Sequence, residues 1–285
     1  MMKFCLFSSL LLCICAGWYF LLKIYQKLTR FLITLIERAQ LKASPQLLVT
    51  LSKEADEDEF KYMVSLRLAK EPRRHMCGGA IINEKWILTA RQCLIQIEEG
   101  KNKTWSIRGA NSIVVVPKYA NNLDNLYEPK FEPEETFCWF FYNFDISNPH
   151  PTDYGLIKLK RAIPLGALSP YGLREIALDG SAPGCSKDPF KDGRILSAGW
   201  GVNKGGKLSS SLQRIELQIQ PDSVCKVNPA YAYYLTFCAK GVRVNVSTDL
   251  PSICAGDMGS PAVYRCPNKQ DKLVGIASAF DVGCL

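Results

Sequence analysis

Apolar and polar positions alternate with a period of two over Tyr62-Met-Val-Ser-Leu-Arg-Leu68, and this predicts a strand. The acidic run before it, Glu54, Asp56, Glu57, Asp58 and Glu59, reads as a solvated loop. Similar short apolar stretches predict strands at Gly79-Ala-Ile-Ile82, Trp86-Ile-Leu-Thr89, Ser112-Ile-Val-Val-Val116, Tyr154-Gly-Leu-Ile-Lys-Leu159, Arg194-Ile-Leu-Ser197, Leu212 to Ile219, Ala262-Val-Tyr264 and Leu273-Val-Gly-Ile276. Gly, Pro, Asn and Asp punctuate them, and long helical periods are few, so the pattern indicates an all-β barrel or sandwich without choosing between the two. Pro164, Gly166, Pro170 and Gly172 interrupt the pattern between Arg161 and Gly180 and mark a joint between two halves. No internal repeat or low-complexity segment stands out.

Composition narrows the class. A chain of 285 residues with 47% hydrophobic content can bury a sizeable core, which argues against disorder and coiled coil. The net charge of +8 is modest and its Lys and Arg residues are scattered, so no nucleic-acid partner is expected. Phe4 to Leu22 runs without a charge behind Lys3, as a signal peptide or a membrane-spanning anchor would. Cys15-Ala16-Gly17 offers small residues for cleavage; Lys23, Lys27, Arg30 and Arg38 would hold the far side of an uncleaved anchor in the cytoplasm. The division is therefore 1–22 as signal peptide or anchor, 23–44 as a basic pro-segment or stalk, and 45–285 as the folded body. A membrane partner enters only if the leader stays uncleaved.

Of the twelve cysteines, Cys5, Cys13 and Cys15 lie in the leader, leaving nine, which cannot all pair. Wide spacing without a CxxC pair or a neighbouring His argues for disulfides formed in an oxidising compartment, with no metal and no cofactor. The sequons at Asn102 and Asn245 agree with an extracellular destination.

Four separated blocks then combine: Cys77-Gly-Gly-Ala-Ile-Ile82 with Trp86-Ile-Leu-Thr-Ala-Arg-Gln-Cys93, Asp153-Tyr-Gly-Leu-Ile-Lys-Leu159, Ser197-Ala-Gly-Trp-Gly201, and Cys254-Ala-Gly-Asp-Met-Gly-Ser-Pro261. In order and spacing they resemble the chymotrypsin-like serine proteases. The resemblance implies two antiparallel six-stranded β-barrels, one over about 45–165 and one over about 166–285, with a cleft between them. Because the chain stops one residue after Cys284, the second barrel is expected to be incomplete.

By the same resemblance Gln92, Asp153 and Met258 hold the positions of the catalytic His, Asp and Ser. An amide has no basic nitrogen that titrates near neutral pH, and a thioether is no oxygen nucleophile. The expectation is therefore a chain that is not an enzyme, its triad degenerate. Ser260, in place of a family Gly, reads as a packing residue, while His75 and His150 read as ordinary surface residues. Gly256 is the oxyanion-hole remnant, and Ser252, Ser278 and Phe280 are remnants of the specificity pocket. Asp257 is the carboxylate that an activated amino terminus would meet; Leu47-Leu-Val-Thr-Leu-Ser52 lacks the basic residue and glycine pair of an activation site, so Asp257 is expected to lack that cation.

Family analogy pairs Cys77 with Cys93, Cys185 with Cys266, Cys225 with Cys238 and Cys254 with Cys284. It leaves Cys138 free in the aromatic stretch Phe137-Cys-Trp-Phe-Phe-Tyr142. The function expected from all this is a secreted regulator, decoy or cofactor of an extracellular protease cascade, innate immunity or complement included, binding a protease, inhibitor or immune component. The alternatives are a residual serine-type endopeptidase and a membrane-tethered interaction protein.

Overall fold

The computed structural model describes residues 52–98, 104–118, 129–138, 153–178, 185, 188, 190, 193–203, 206–225, 236–242 and 251–279. The leader and pro-segment, the sequon asparagines Asn102 and Asn245, His150, Phe280 and Cys284 lie outside the described residues. No helix among those described is long and apolar enough to cross a membrane.

Fourteen strands are described: β1 Lys53–Glu54, β2 Met63–Leu68, β3 Glu71–Asn83, β4 Trp86–Thr89, β5 Ile95–Glu98, β6 Thr104–Ile107, β7 Ile113–Pro117, β8 Pro133–Cys138, β9 Gly155–Leu159, β10 Arg194–Gly199, β11 Gln213–Ile219, β12 Ala239–Gly241, β13 Pro261–Arg265 and β14 Asp271–Ile276. All nine stretches with strand periodicity fall on these strands to within one residue at their starts. One sheet runs β7-β2-β3-β4-β9-β8, and an isolated bridge between Val115 and Phe131 brings its two ends together, curling it towards a barrel. A second runs β1-β11-β10-β13-β14, with β12 beside β1 on the outer side of β11. β5 and β6 form a separate hairpin. The described residues are therefore nearly all-β, in keeping with the chymotrypsin-like double barrel.

β-branched residues suit the pleated surface of β7, Ile113-Val-Val-Val-Pro117, whose closing proline stands where the ladder can lose a donor. β2 is paired along both edges, by β3 and β7, and is buried from Met63 to Arg67, with Met63, Leu66, Ile81, Ile87, Ile157 and Leu159 filling the interior around it. The linker after β9 returns to both sheets: Ile176 N donates to Ile81 O at 2.9 Å, and Leu273 N to Ala177 O at 2.8 Å.

Glu54, Asp56, Glu57 and Asp58 of the acidic run are exposed, in keeping with a solvated loop, and Glu59 alone departs from that reading. Glu59 accepts from Arg214 and Arg265 at 2.6 Å each, while Arg265 also clasps Asp271 through two nitrogens at 2.8 and 3.0 Å. Burial raises the Glu59 pKa, but hydrogen bonding from Arg265, with a backbone bond and the two arginine charges, outweighs it and leaves the carboxyl below its ordinary value. The buried ammonium of Lys118 donates to the carbonyls of Asp56, Glu57 and Glu59, and burial lowers its pKa to about 8. These contacts hold the run where periodicity alone saw only charge. Glu59→Ala is expected to cost about 1–3 kcal/mol in urea denaturation, because two arginines lose a shared anion. Removing Glu71 from its exposed pair with Arg74 should cost under about 1 kcal/mol.

Candidate functional site

Strand register assembles the site. In the β4–β9 pair Thr89 stands opposite Gly155, so continuing the antiparallel register sets Asp153 across from residue 91. The chain turns there in one 3-10 turn, Arg91–Cys93, tied to β3 by the Cys77–Cys93 disulfide. Asp153 Oδ1 accepts from the Gln92 backbone N at 3.0 Å and faces Arg91 Nε at 3.8 Å. Asp153 Oδ2 accepts from Gln92 Nε2 at 2.5 Å and from the Ser278 hydroxyl at 2.7 Å. Gln92 Nε2 donates its other hydrogen to the Ser278 carbonyl. Both partners of that amide can only accept, which fixes its nitrogen end here.

The second sheet contributes the turn before β13. Met258 O accepts from Gly78 N at 2.8 Å, and Gly259 N donates to Ala277 O at 2.8 Å. Gly259 has φ +80°, and a Cβ there would stand 2.3 Å from Thr89 Oγ1 and 2.5 Å from Gly78 O, so only glycine lets this turn lie against β3 and β4. Ser260 is fully buried, and its Oγ would lie 2.2 Å from a Cβ on Gly78; it has no hydrogen-bond partner among the described residues and packs the seam. Met258 is half-buried and leans on the hydrophobic core.

Asp257 borders a cavity of about 30 Å³ shared with Ser52, Gly201, Ser209, Gln213 and Ser252. Its carboxylate accepts from Gly201 N at 2.7 Å and from Cys254 N at 2.9 Å. The residue as a whole is half-buried, yet its carboxyl end is enclosed, since a Cβ on Gly199 or Gly201 would overlap it. Burial dominates the two hydrogen bonds and raises its pKa to about 6.

His75 is buried, which corrects its reading as a surface residue. β3 starts earlier than its apolar stretch suggested, with Arg67 opposite His75 in the β2–β3 ladder. Arg67 Nε donates to Ser65 Oγ at 3.1 Å, leaving the hydroxyl proton for His75 Nδ1 at 2.8 Å; His75 Nε2 then donates to Gly256 O at 2.8 Å. Trp200 meets the ring edge-on at 5.5 Å. Burial lowers the His75 pKa to about 4, so the ring is neutral at physiological pH.

Sequence reasoning missed Arg91 and the Ser65–His75 pair. Ala90-Arg-Gln-Cys93 had been read for Gln92 alone, and Ser65 reaches His75 only through ladder register. Cys185–Cys266 and Cys225–Cys238 are also bonded. Cys254 is disulfide-bonded, while Cys284, the partner expected for it, lies outside the described residues. Cys138 is a free, half-buried thiol whose pKa burial pushes up to about 11. Among the described residues no cluster of His, Cys, Asp and Glu is placed to hold a metal.

Relatives are found across most of the chain. Granzyme M of Rattus norvegicus is 27% identical over 230 residues, covering 78% of this chain and 75% of its own. Lectizyme of Glossina austeni is 28% identical over 229 residues, 79% and 74% respectively. Kallikrein-14 of Homo sapiens is 26% identical over 204 residues, 70% and 63%. These matches overturn the expectation that the chain is not an enzyme, because nothing in them sets it apart from Granzyme M, Lectizyme and Kallikrein-14. The family profile described as Trypsin matches residues 50–284, and with the double-sheet fold already seen, the chain belongs to the trypsin family.

Proposed function

We propose that this trypsin-family protein is a secreted regulator that works by binding, holding a protease, inhibitor or immune component of an extracellular cascade at its cleft. The observation that carries the reading is the closed set of partners around Asp153. Gln92 stands in the family position of the catalytic His, and both of its amide hydrogens are committed, to Asp153 and to Ser278. Met258 stands in the position of the nucleophile, with Gly256 beside it as oxyanion-hole remnant and Ser252 and Ser278 as remnants of the specificity pocket. The Gln92 carbonyl oxygen and the Met258 thioether can meet a polypeptide by hydrogen bonding and apolar contact, which supports the binding part of the reading. The disulfides Cys77–Cys93, Cys185–Cys266 and Cys225–Cys238 suit an oxidising compartment and support the extracellular part of the reading.

The test measures binding and turnover on the same purified chain. A fluorescently labelled protein inhibitor of trypsin-family enzymes, titrated by anisotropy, is expected to bind saturably and to be displaced by unlabelled inhibitor. In parallel, a fluorophosphonate probe is applied to the natural chain and to the Gln92→His plus Met258→Ser variant, where gain of labelling is expected only in the variant. Absence of saturable binding, together with labelling of the natural chain at the rate of an ordinary serine protease, overturns the proposal in favour of an endopeptidase.

A further inference from the structure

Asp153 is nearly dry, its side chain 8% exposed, and a carboxylate taken out of water is costly without a positive partner. Gln92 and Ser278 supply hydrogen bonds but no charge. The one cation within ion-pair distance of Asp153 among the described residues is Arg91, whose side chain is 6% exposed and whose Nε stands 3.8 Å from Oδ1. An arginine is rarely buried to that extent unless paired. The thiol of Cys138 is the third titratable group here; burial raises its pKa most, and it also feels both charges, Arg91 drawing the pKa down and Asp153 pushing it up. The position of Arg91 follows from local structure: the 3-10 turn directs residues 91 and 92 to the same carboxylate, one through its guanidinium and the other through its backbone and side-chain amides.

We propose that Arg91 is the counter-charge of Asp153, a positioning residue that supplies the positive partner the uncharged Gln92 amide does not, so that residues 91 and 92 act as a coupled pair. The cation stands one place before Gln92 in the turn, on a buried side chain and not on the exposed one. Asp153 therefore has little attraction left for a second cation at position 92. This inference concerns charge pairing and holds whether the cleft binds or cuts.

The experiment places a reporter where the second cation would go. Gln92→His is made in the full chain, a change at an exposed position, and the imidazole pKa is followed by NMR titration. With Arg91 neutralising Asp153, the imidazole is expected to titrate at or below the ordinary value of about 6.5. In Gln92→His with Arg91→Met it is expected to rise by about one unit or more, a tenfold or greater change in proton affinity. Equal values in the two backgrounds overturn the proposal. Should the double variant not fold, the single variant still decides: an imidazole pKa above about 7.5 there means that Asp153 carries an unneutralised charge, and the proposal fails. A merely structural role for Arg91 would change stability and leave the imidazole pKa in place.

Discussion

Trp200→Ala is expected to lower stability by about 3–5 kcal/mol, read as a shifted urea midpoint at nearly constant slope. The side chain is among the largest fully buried ones, and it follows directly on β10 and lies in a core cluster built from residues of both sheets. Truncation empties a space that neighbouring residues fill poorly, because interiors pack as densely as organic crystals. It also removes the ring that meets His75 edge-on, so the hydrogen bond from His75 to Gly256 O should loosen with it. Trp200→Phe, which keeps an aromatic ring in place, is expected to lose well under half as much. A loss below about 1 kcal/mol for the alanine variant would mean that the two sheets do not depend on this residue.

The second large effect is a pair of opposed titrations. His75 has a folded pKa of about 4 against an ordinary value of 6.5, so on acidification the unfolded chain takes up its proton first. The stability that rests on neutral His75 is complete above about pH 6.5 and is lost as pH falls towards 4. Asp257 has a folded pKa of about 6 against 3.8, so here the folded chain holds the proton longer. Its contribution is complete below about pH 4 and is lost as pH rises through 6. Each gap is worth of the order of 3 kcal/mol, and between pH 4 and 6 the two nearly cancel.

Comparison with the natural chain isolates each group, because the exposed carboxylates and Glu59 titrate alike in all forms. Asp257→Asn should add a rise in stability of the order of 3 kcal/mol across pH 4 to 6, and His75→Gln a fall of similar size. Urea denaturation at each pH checks both. If neither variant changes the slope, the two groups are not buried in the folded state as described.

Much of the fold was legible because strand formation is encoded locally. Alternation along Tyr62 to Leu68 and the β-branched run before Pro117 dictate extended chain whatever lies beside them. The strand at Pro133–Cys138 escaped notice because its faces are mixed, Pro133 buried and Glu134, Glu135 and Phe137 exposed, with no clean period. The early part of β3 was missed for a similar reason: Glu71-Pro-Arg-Arg74 looks like a loop and is strand only because it follows β2. That extension carries His75 inward, which no property of the tripeptide around it announces.

At the site, the sequence by itself determined which chemical groups are present: an amide at 92, a thioether at 258, a carboxyl at 153 and another at 257. Those are covalent facts, and they set what each group can donate, accept or titrate in water. Only the tertiary structure decided which groups meet and how each is solvated. Asp153 and Ser278 are 125 positions apart and share a hydrogen bond, Arg91 reaches Asp153 through strand register, and the enclosure of Asp257 and His75 moves their pKa values in opposite directions. Hydrogen bonding, Coulomb interaction and desolvation depend on distance and surroundings in space, and a folded chain sets those between residues that the sequence keeps far apart.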